Sequence, residues 1–260
     1  YGTETRLLVS CVMAGVLSGI LNAVDETVWN PAADTLIPAN FDADDRAGKA
    51  RCKAALQKEM GLAIERRAPL FSVVSRLTEQ KGLQLVVAAV DEIIAHGGQL
   101  VVLGSGDAVL EQALRVQALK HPQSVAVHLG YDEALAHRIF AASDVTLVPS
   151  RFEPCGLTQM YGLKYGSLPL VRRVGGLADT VGDSTLEDLA EETANGFVFD
   201  DFTAEALIRA LRRAFVLYAR PKEWAAVSGR AMRQTYGWNV SAQKYLALYQ
   251  QIAGPSGSAT

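Results

Sequence analysis

The chain has 260 residues, with 25 Lys+Arg against 28 Asp+Glu, a formal net charge of −3 and 49% hydrophobic residues. The apolar fraction excludes a disordered chain, the length allows one large or two small domains, and the near-neutral balance gives no electrostatic reason to expect nucleic acid as a partner. Three cysteines (Cys11, Cys52 and Cys155), odd in number and far apart, make no disulfide framework and point to a reducing compartment, while four scattered histidines contain no spaced pair of metal ligands.

The first residue is Tyr1, not Met, which marks a processed chain or a piece of a longer one. Leu7–Leu21 (LLVSCVMAGVLSGIL) carries no charge and follows Arg6. Out of context it resembles a signal-peptide core, or a membrane helix with Gly15 and Gly19 at GxxxG spacing. As a helix it reaches only about 22 Å, short of the roughly 30 Å hydrocarbon core. No small-residue cleavage pattern is clear, so it reads as a buried segment of a soluble, cytoplasmic protein with no membrane partner. From Asn30 to about Arg67 the text is polar and loop-like, with a short helical stretch around Lys49–Met60. Asp42-Ala43-Asp44 is formally an Asp-x-Asp metal pair, but no apolar run precedes it and Arg46 follows it, so it reads as a solvated acidic turn.

After Pro69 the text becomes regular. Leu70–Ser75 is of strand length, and Gly82–His96 has helical periodicity with Leu83, Val86, Val87, Val90, Ile93 and Ile94 on one stripe. Gln99–Leu103, Ser124–Leu129, Asp144–Val148, Ser167–Val171 and Gly196–Phe199 read as further strands. Helices are expected after Asp107 to about Leu119, over Asp132–Ala142, Gly156–Tyr165, Thr203–Tyr218, Lys222–Tyr236 and Val240–Ile252. Strands that are apolar throughout and alternate with helices indicate a doubly wound parallel sheet, an α/β Rossmann-like domain spanning 68–236. Residues 1–67 read as a preceding hinge and remnant, and 237–260 as a last helix with a disordered tail at Gly254–Thr260. Ligands in such sheets sit at the carboxyl ends of the strands, which narrows the search to those loops.

Three loops stand out. In the first, Ser75–Gly82 (SRLTEQKG), Arg76 leaves the strand end and Lys81 stands at the next helix entrance. Two cations beside free N–H groups suit a diphosphate, although a solvated turn with two surface charges gives the same spacing. The second, Gly104-Ser105-Gly106-Asp107, begins like a dinucleotide fingerprint. Val109 holds the third glycine position, and no acidic residue for a ribose stands in Leu119–Ser124, which counts against a nicotinamide dehydrogenase. It is either a tight turn or a ligand contact.

The third loop, Pro149–Gly162 (PSRFEPCGLTQMYG), follows the fourth strand. With Pro154 near the start of a helix, Gly156, Leu157 and Thr158 point their N–H groups at an anion in the crevice. Glu153 would repel a phosphate and therefore serves another part of the ligand, such as a sugar hydroxyl. The plainer reading, a glutamate favouring a helix N-terminus, is weakened by its conjunction with Arg76 and Lys81. Cys155 is either a reactive thiol or an inert buried one.

SRLTEQKG, GYDE, PSRFEPCGLTQMYGLKYG and LPLVRRVGGLADTV together resemble the C-terminal half of the glycogen and starch synthases, retaining two-domain (GT-B) glucosyltransferases that use a nucleotide-activated glucose. Gly15–Pro31 is similar to that family's hinge, with Ala23 where the family usually has Gly, whereas Thr3–Met13 matches poorly. The resemblance implies ADP-glucose and an α-1,4-glucan as partners, and no metal or other cofactor. It implies that Arg76 and Lys81 hold the diphosphate, that Gly156, Leu157 and Thr158 give backbone contacts, that Glu153 orients the glucose and that Tyr131 stacks on adenine. Cys155 lies beside them. Eight residues after Glu153, where related transferases carry a second glutamate, stands Tyr161, so no two-carboxylate acid/base pair is expected. The family's Lys-x-Gly-Gly loop and acceptor groove belong to its first half and are absent here. The chain thus reads as the donor-binding half of an enzyme, inactive or nearly so by itself, with a binding module lacking turnover as the alternative. The apolar last helix, deprived of a partner, implies self-association.

Overall fold

The computed structural model describes residues 18–253. The greater part of the apolar run (residues 7–17) and the expected tail lie outside that range. The strands are β1 (Leu70–Val74), β2 (Gln99–Gly104), β3 (Val125–Leu129), β4 (Val145–Val148), β5 (Leu168–Arg172) and β6 (Phe197–Phe199), all parallel in the order β3-β2-β1-β4-β5-β6. The helices are α1 (Ala47–Glu59), α2 (Leu83–Ala95), α3 (Ala108–Lys120), α4 (Glu133–Ala142), α5 (Thr158–Lys164), α6 (Gly175–Thr180), α7 (Leu186–Ala190), α8 (Ala204–Tyr218), α9 (Pro221–Met232) and α10 (Trp238–Ala253).

Alternation along β1 divides the core. Phe71 and Val73 pack with Val86, Val90 and Ile93 of α2 and Leu207 and Leu211 of α8 on one face. Leu70 turns to the other face, joining Leu56 of α1 and Ile139 and Phe140 of α4. A strand buried on both faces needs an apolar residue at every position, which is why these strands read as continuous runs rather than alternating ones. Polar caps set the helix starts. The Asp107 carboxylate accepts from the N–H groups of Val109 (2.8 Å) and Leu110 (3.1 Å), Asp132 from Leu135 (2.8 Å), and the Thr203 hydroxyl from Ala206 (3.2 Å). Each such cap contributes about 1 kcal/mol.

Two lysines of α1 fasten that helix to the amino ends of the sheet. Lys53 Nζ donates to Asp144 Oδ2 (2.6 Å), the Ala68 carbonyl (2.5 Å) and the Tyr218 hydroxyl (3.1 Å). Lys49 Nζ donates to the carbonyls of Ala141 (3.1 Å) and Tyr165 (2.8 Å), at the ends of α4 and α5, and burial lowers its pKa to about 8. In front of α1, the Asp42 carboxylate accepts from the N–H groups of Asp44 and Asp45, so the Asp-x-Asp closes on itself as a turn.

Several expectations are corrected. Helices α6 and α7 were not foreseen, being six and five residues long, too short for periodicity to show. The helix expected to run to Tyr236 ends at Met232, because tertiary bonds claim the residues beyond it. The Tyr236 carbonyl accepts from Val24 N–H at 2.8 Å and its hydroxyl donates to the Thr180 carbonyl at 3.1 Å.

Contacts divide the chain into residues 24–236 and a second unit of 1–23 with 237–260. Within the second unit, Ser241 Oγ donates to the Leu21 carbonyl at 2.9 Å, and α10 leaves Leu246, Tyr249 and Ile252 exposed. Among the described residues, no helix is long and apolar enough to cross a membrane.

Candidate functional site

β1 and β4 are neighbours in the sheet but lead into connections that run to opposite sides, so a crevice opens between the loops that follow them. The two loops are tied together across it. Arg151 N–H donates to the Gln80 carbonyl at 2.8 Å, and Gln80 Nε2 donates to the Phe152 carbonyl at 3.3 Å. Thr158 Oγ1 reaches the Val74 carbonyl at the end of β1 (3.4 Å). This bracing places Lys81 against Glu153. The ammonium is ion-paired with Glu153 Oε2, which also accepts from the Ser150 hydroxyl at 3.2 Å. The carboxylate is buried, and its Oε1 meets no hydrogen-bond donor among the described residues.

Arg76 and Tyr131 stand on the loops that follow β1 and β3. Both line a cleft of about 350 Å³ whose walls include Val74, Gly104, Ser105 and Gly130. Among the described residues, the Arg76 guanidinium donates only to Gln80 Oε1, at 3.3 Å. The Tyr131 ring is 87% exposed, and its hydroxyl donates to Glu133 at 3.0 Å, a bond that raises the phenol pKa. The Gly104–Asp107 stretch takes the first of the two roles open to it, and part of it faces a cleft. It is a tight turn pinned by Leu77, whose N–H donates to the Ser105 carbonyl at 2.9 Å, and it lines the cleft.

The third loop departs from expectation in one respect. Helix α5 begins only at Thr158 and has seven residues, so Pro154 lies well before it and Gly156 and Leu157 belong to the loop. Their N–H groups are aimed by loop geometry, not by a helix end. Gly156 makes the turn at φ +76°, a conformation that favours glycine. Cys155 is half-buried at this turn. Tyr161 stacks on Trp29 (centroids 3.9 Å), which stacks in turn on His137 (3.8 Å).

Sequence reasoning missed Ser150, although its spacing of three before Glu153 was inside the motif, and missed the seat under the loop. Gly175 and Gly176 lie so close that a Cβ would sit 2.1 Å from the Glu153 carbonyl oxygen and 2.3 Å from that of Cys155. A Gly-Gly pair opening a helix was the available signal. A larger hollow of about 980 Å³ opens at the amino ends of the strands. The carboxylate it offers, Asp144, is already paired with Lys53. Arg151, the third cation near the crevice, is stacked over Phe202 at 4.7 Å. Arg76, Lys81 and Glu153 stand on the loops at the carboxyl ends of the strands, where cations and a carboxylate can meet an anion joined to a polyol. Among the described residues, no group of three or more His, Cys, Asp or Glu is placed to hold a metal ion.

Residues 58–226 match the family described as Glycosyl transferases group 1. The glycogen synthase of Yersinia pseudotuberculosis serotype IB (strain PB1/+) is 56% identical over 252 residues, 97% of this chain and 53% of that protein. The glycogen synthase of Variovorax paradoxus (strain S110) is 59% identical over 247 residues, covering 94% and 50%. The chain spans about half the length of the curated relatives it matches. The catalytic domain of Starch Synthase IV from Arabidopsis thaliana, solved bound to ADP and acarbose, superposes with a TM-score of 0.87 at 38% identity, over 94% of this chain and 51% of that one.

Proposed function

Because the chain belongs to the group 1 glycosyl transferases, we propose that it supplies the donor-binding half of a GT-B enzyme that moves glucose from ADP-glucose to the non-reducing end of an α-1,4-glucan with retention. The observation that supports this reading is the pairing of Lys81 with Glu153 between the loops that follow β1 and β4, with Arg76 and Tyr131 lining a cleft at the carboxyl ends of the strands. As the bond from glucose to ADP breaks, positive charge develops on the sugar ring and negative charge on the departing phosphate. Arg76, Lys81 and the N–H groups of Gly156, Leu157 and Thr158 offset the negative charge without rearranging. Glu153, anchored through Oε2 by Lys81 and Ser150, leaves Oε1 for a glucose hydroxyl.

Substitution tests the roles. Each charge-assisted contact to a diphosphate contributes about 1.5–3 kcal/mol, so Arg76→Ala or Lys81→Ala weakens ADP binding roughly 10- to 150-fold by calorimetry. Lys81→Ala belongs at the upper end, since it also leaves the Glu153 carboxylate unpaired beside the phosphates. ADP affinity like that of the wild type in both variants removes these residues from the site.

The donor base is read by Tyr131. Stacking at an exposed ring is worth about 0.5–1.5 kcal/mol, so ADP is bound about 2- to 10-fold more tightly than UDP, and Tyr131→Ala abolishes the difference. Equal competition by ADP and UDP against the unaltered protein contradicts this. A second reading is a nucleotide-sugar or glucan binding module without turnover. Transfer of labelled glucose separates the two.

A further inference from the structure

Gln159 touches no reacting group, yet its hydrogen bonds decide which way the preceding loop faces. It lies in the first turn of α5 and is fully buried, at 0% exposure. Its amide turns back beneath the loop. Nε2 donates to the carbonyls of Cys155 (3.1 Å) and Gly156 (2.9 Å), and stands 3.3 Å from the Thr180 hydroxyl oxygen. Thr180 gives its own proton to the Gly176 carbonyl at 2.6 Å, so its oxygen is left to accept. Three acceptors thus converge on the two protons of one amide.

A trans peptide is planar, so a carbonyl and the N–H that follows it point to opposite sides. Drawing the Cys155 and Gly156 carbonyls inward to Gln159 forces the N–H groups of Gly156 and Leu157 outward, into the crevice. Neither N–H finds an acceptor among the described residues. The loop is held further by Gly176, whose N–H donates to the carbonyls of Glu153 and Pro154, each at 3.2 Å.

The other end of the amide makes the functional argument sharper. Gln159 Oε1 is buried and receives no hydrogen bond, and a Cβ on Gly156 would fall 2.4 Å from it. An apolar side chain of equal size would fill the same space without burying an unsatisfied oxygen. What the apolar chain cannot do is hold two carbonyls.

We propose that Gln159 is a positioning residue: by holding the Cys155 and Gly156 carbonyls it presents the N–H groups of Gly156 and Leu157 to the diphosphate of the nucleotide donor, with Thr180 fixing the amide's orientation. The assignment rests on the donor-site reading given above. It is tested by titrating ADP and adenosine into the purified chain and into Gln159→Glu and Gln159→Met, with ligand-observed NMR for the weaker complexes. In Gln159→Glu the carboxylate repels both carbonyls, so ADP affinity falls at least about 10-fold while adenosine affinity is unchanged. Gln159→Met keeps the volume, loses the donors and shifts affinities in the same direction; it decides the matter where the glutamate variant does not fold. Unchanged ADP affinity, or an equal loss of ADP and adenosine, overturns the assignment and leaves the donor site standing. An unaltered protein that binds ADP no better than adenosine overturns both.

Discussion

Purified residues 1–260 are expected to transfer glucose from ADP-glucose to glycogen at least about 10⁵-fold more slowly than a full-length relative, while still binding ADP. On the proposed reading the side chains at the β1 and β4 ends act on the donor: Lys81 and Arg76 would meet negative charge and Glu153, paired with Lys81, a sugar hydroxyl, and none of them would bring an acceptor hydroxyl to the anomeric carbon. In the two-domain family that positioning falls to the other half, whose closure also excludes water. Holding two reactants in attack geometry is worth up to about 7–11 kcal/mol, and a donor site without its acceptor surface forfeits that gain. Dimerisation does not restore it, because both copies carry the same half. A turnover of about 1 s⁻¹, ordinary for an enzyme, would show the half-enzyme reading to be wrong.

The second large effect concerns stability. Asp144→Ala is expected to lower the free energy of unfolding by about 3–5 kcal/mol, the usual consequence of stripping one partner from a buried ion pair. Asp144 Oδ2 accepts from Lys53 Nζ at 2.6 Å and from the Leu70 N–H at 2.8 Å, so its removal leaves a buried ammonium without a counter-charge and the first amide of β1 without an acceptor. For a chain of this size the loss corresponds to a Tm lower by about 6–20 °C. Adding Lys53→Met to Asp144→Ala recovers part of the loss, since the stranded charge is then gone. The pair lies at the amino ends of the strands, and ADP affinity at the carboxyl ends stays the same in any variant that remains folded. Urea denaturation of the two single variants and the double variant measures this; a loss below about 1 kcal/mol for Asp144→Ala would mean that the pair is not an anchor.

Much of this was legible in the sequence, for physical reasons that can be named. Leu70, Phe71, Val101 and Val102 lie in runs that only a doubly covered strand needs, and their burial follows from that pattern. Arg76, Lys81 and Glu153 were legible as candidates because they stand in loops that follow apolar strands, although a solvated turn gives the two cations the same spacing; the pairing of Lys81 with Glu153 was not legible. What could not be read were bonds between residues far apart in the chain. Gln159 looks like an ordinary helix residue until Thr180, 21 positions on, is seen beneath the same loop. Helix α6 is held by the contact of Gly175 and Gly176 with the Glu153–Cys155 backbone, an arrangement that periodicity does not record. The helix expected to reach Tyr236 stopped early because partners at Val24 and Thr180 outweighed local preference.

The placement of Tyr131 bears on how such proteins diverge. It stands on the short link between β3 and α4, exposed, behind a glycine with open space around it. Replacing it disturbs no buried neighbour, so if it stacks on the base as proposed, a lineage can exchange one nucleobase preference for another by single substitutions, each intermediate as well folded as its parent. The stretch from Glu153 to Thr158 has no such latitude. Its carbonyls are claimed by Gln159 and Gly176, and its backbone touches the Gly175–Gly176 pair, so most changes there must arrive together or not at all. Descendants of this scaffold are therefore expected to vary early in the base they accept and late, if ever, in the way they grip phosphate.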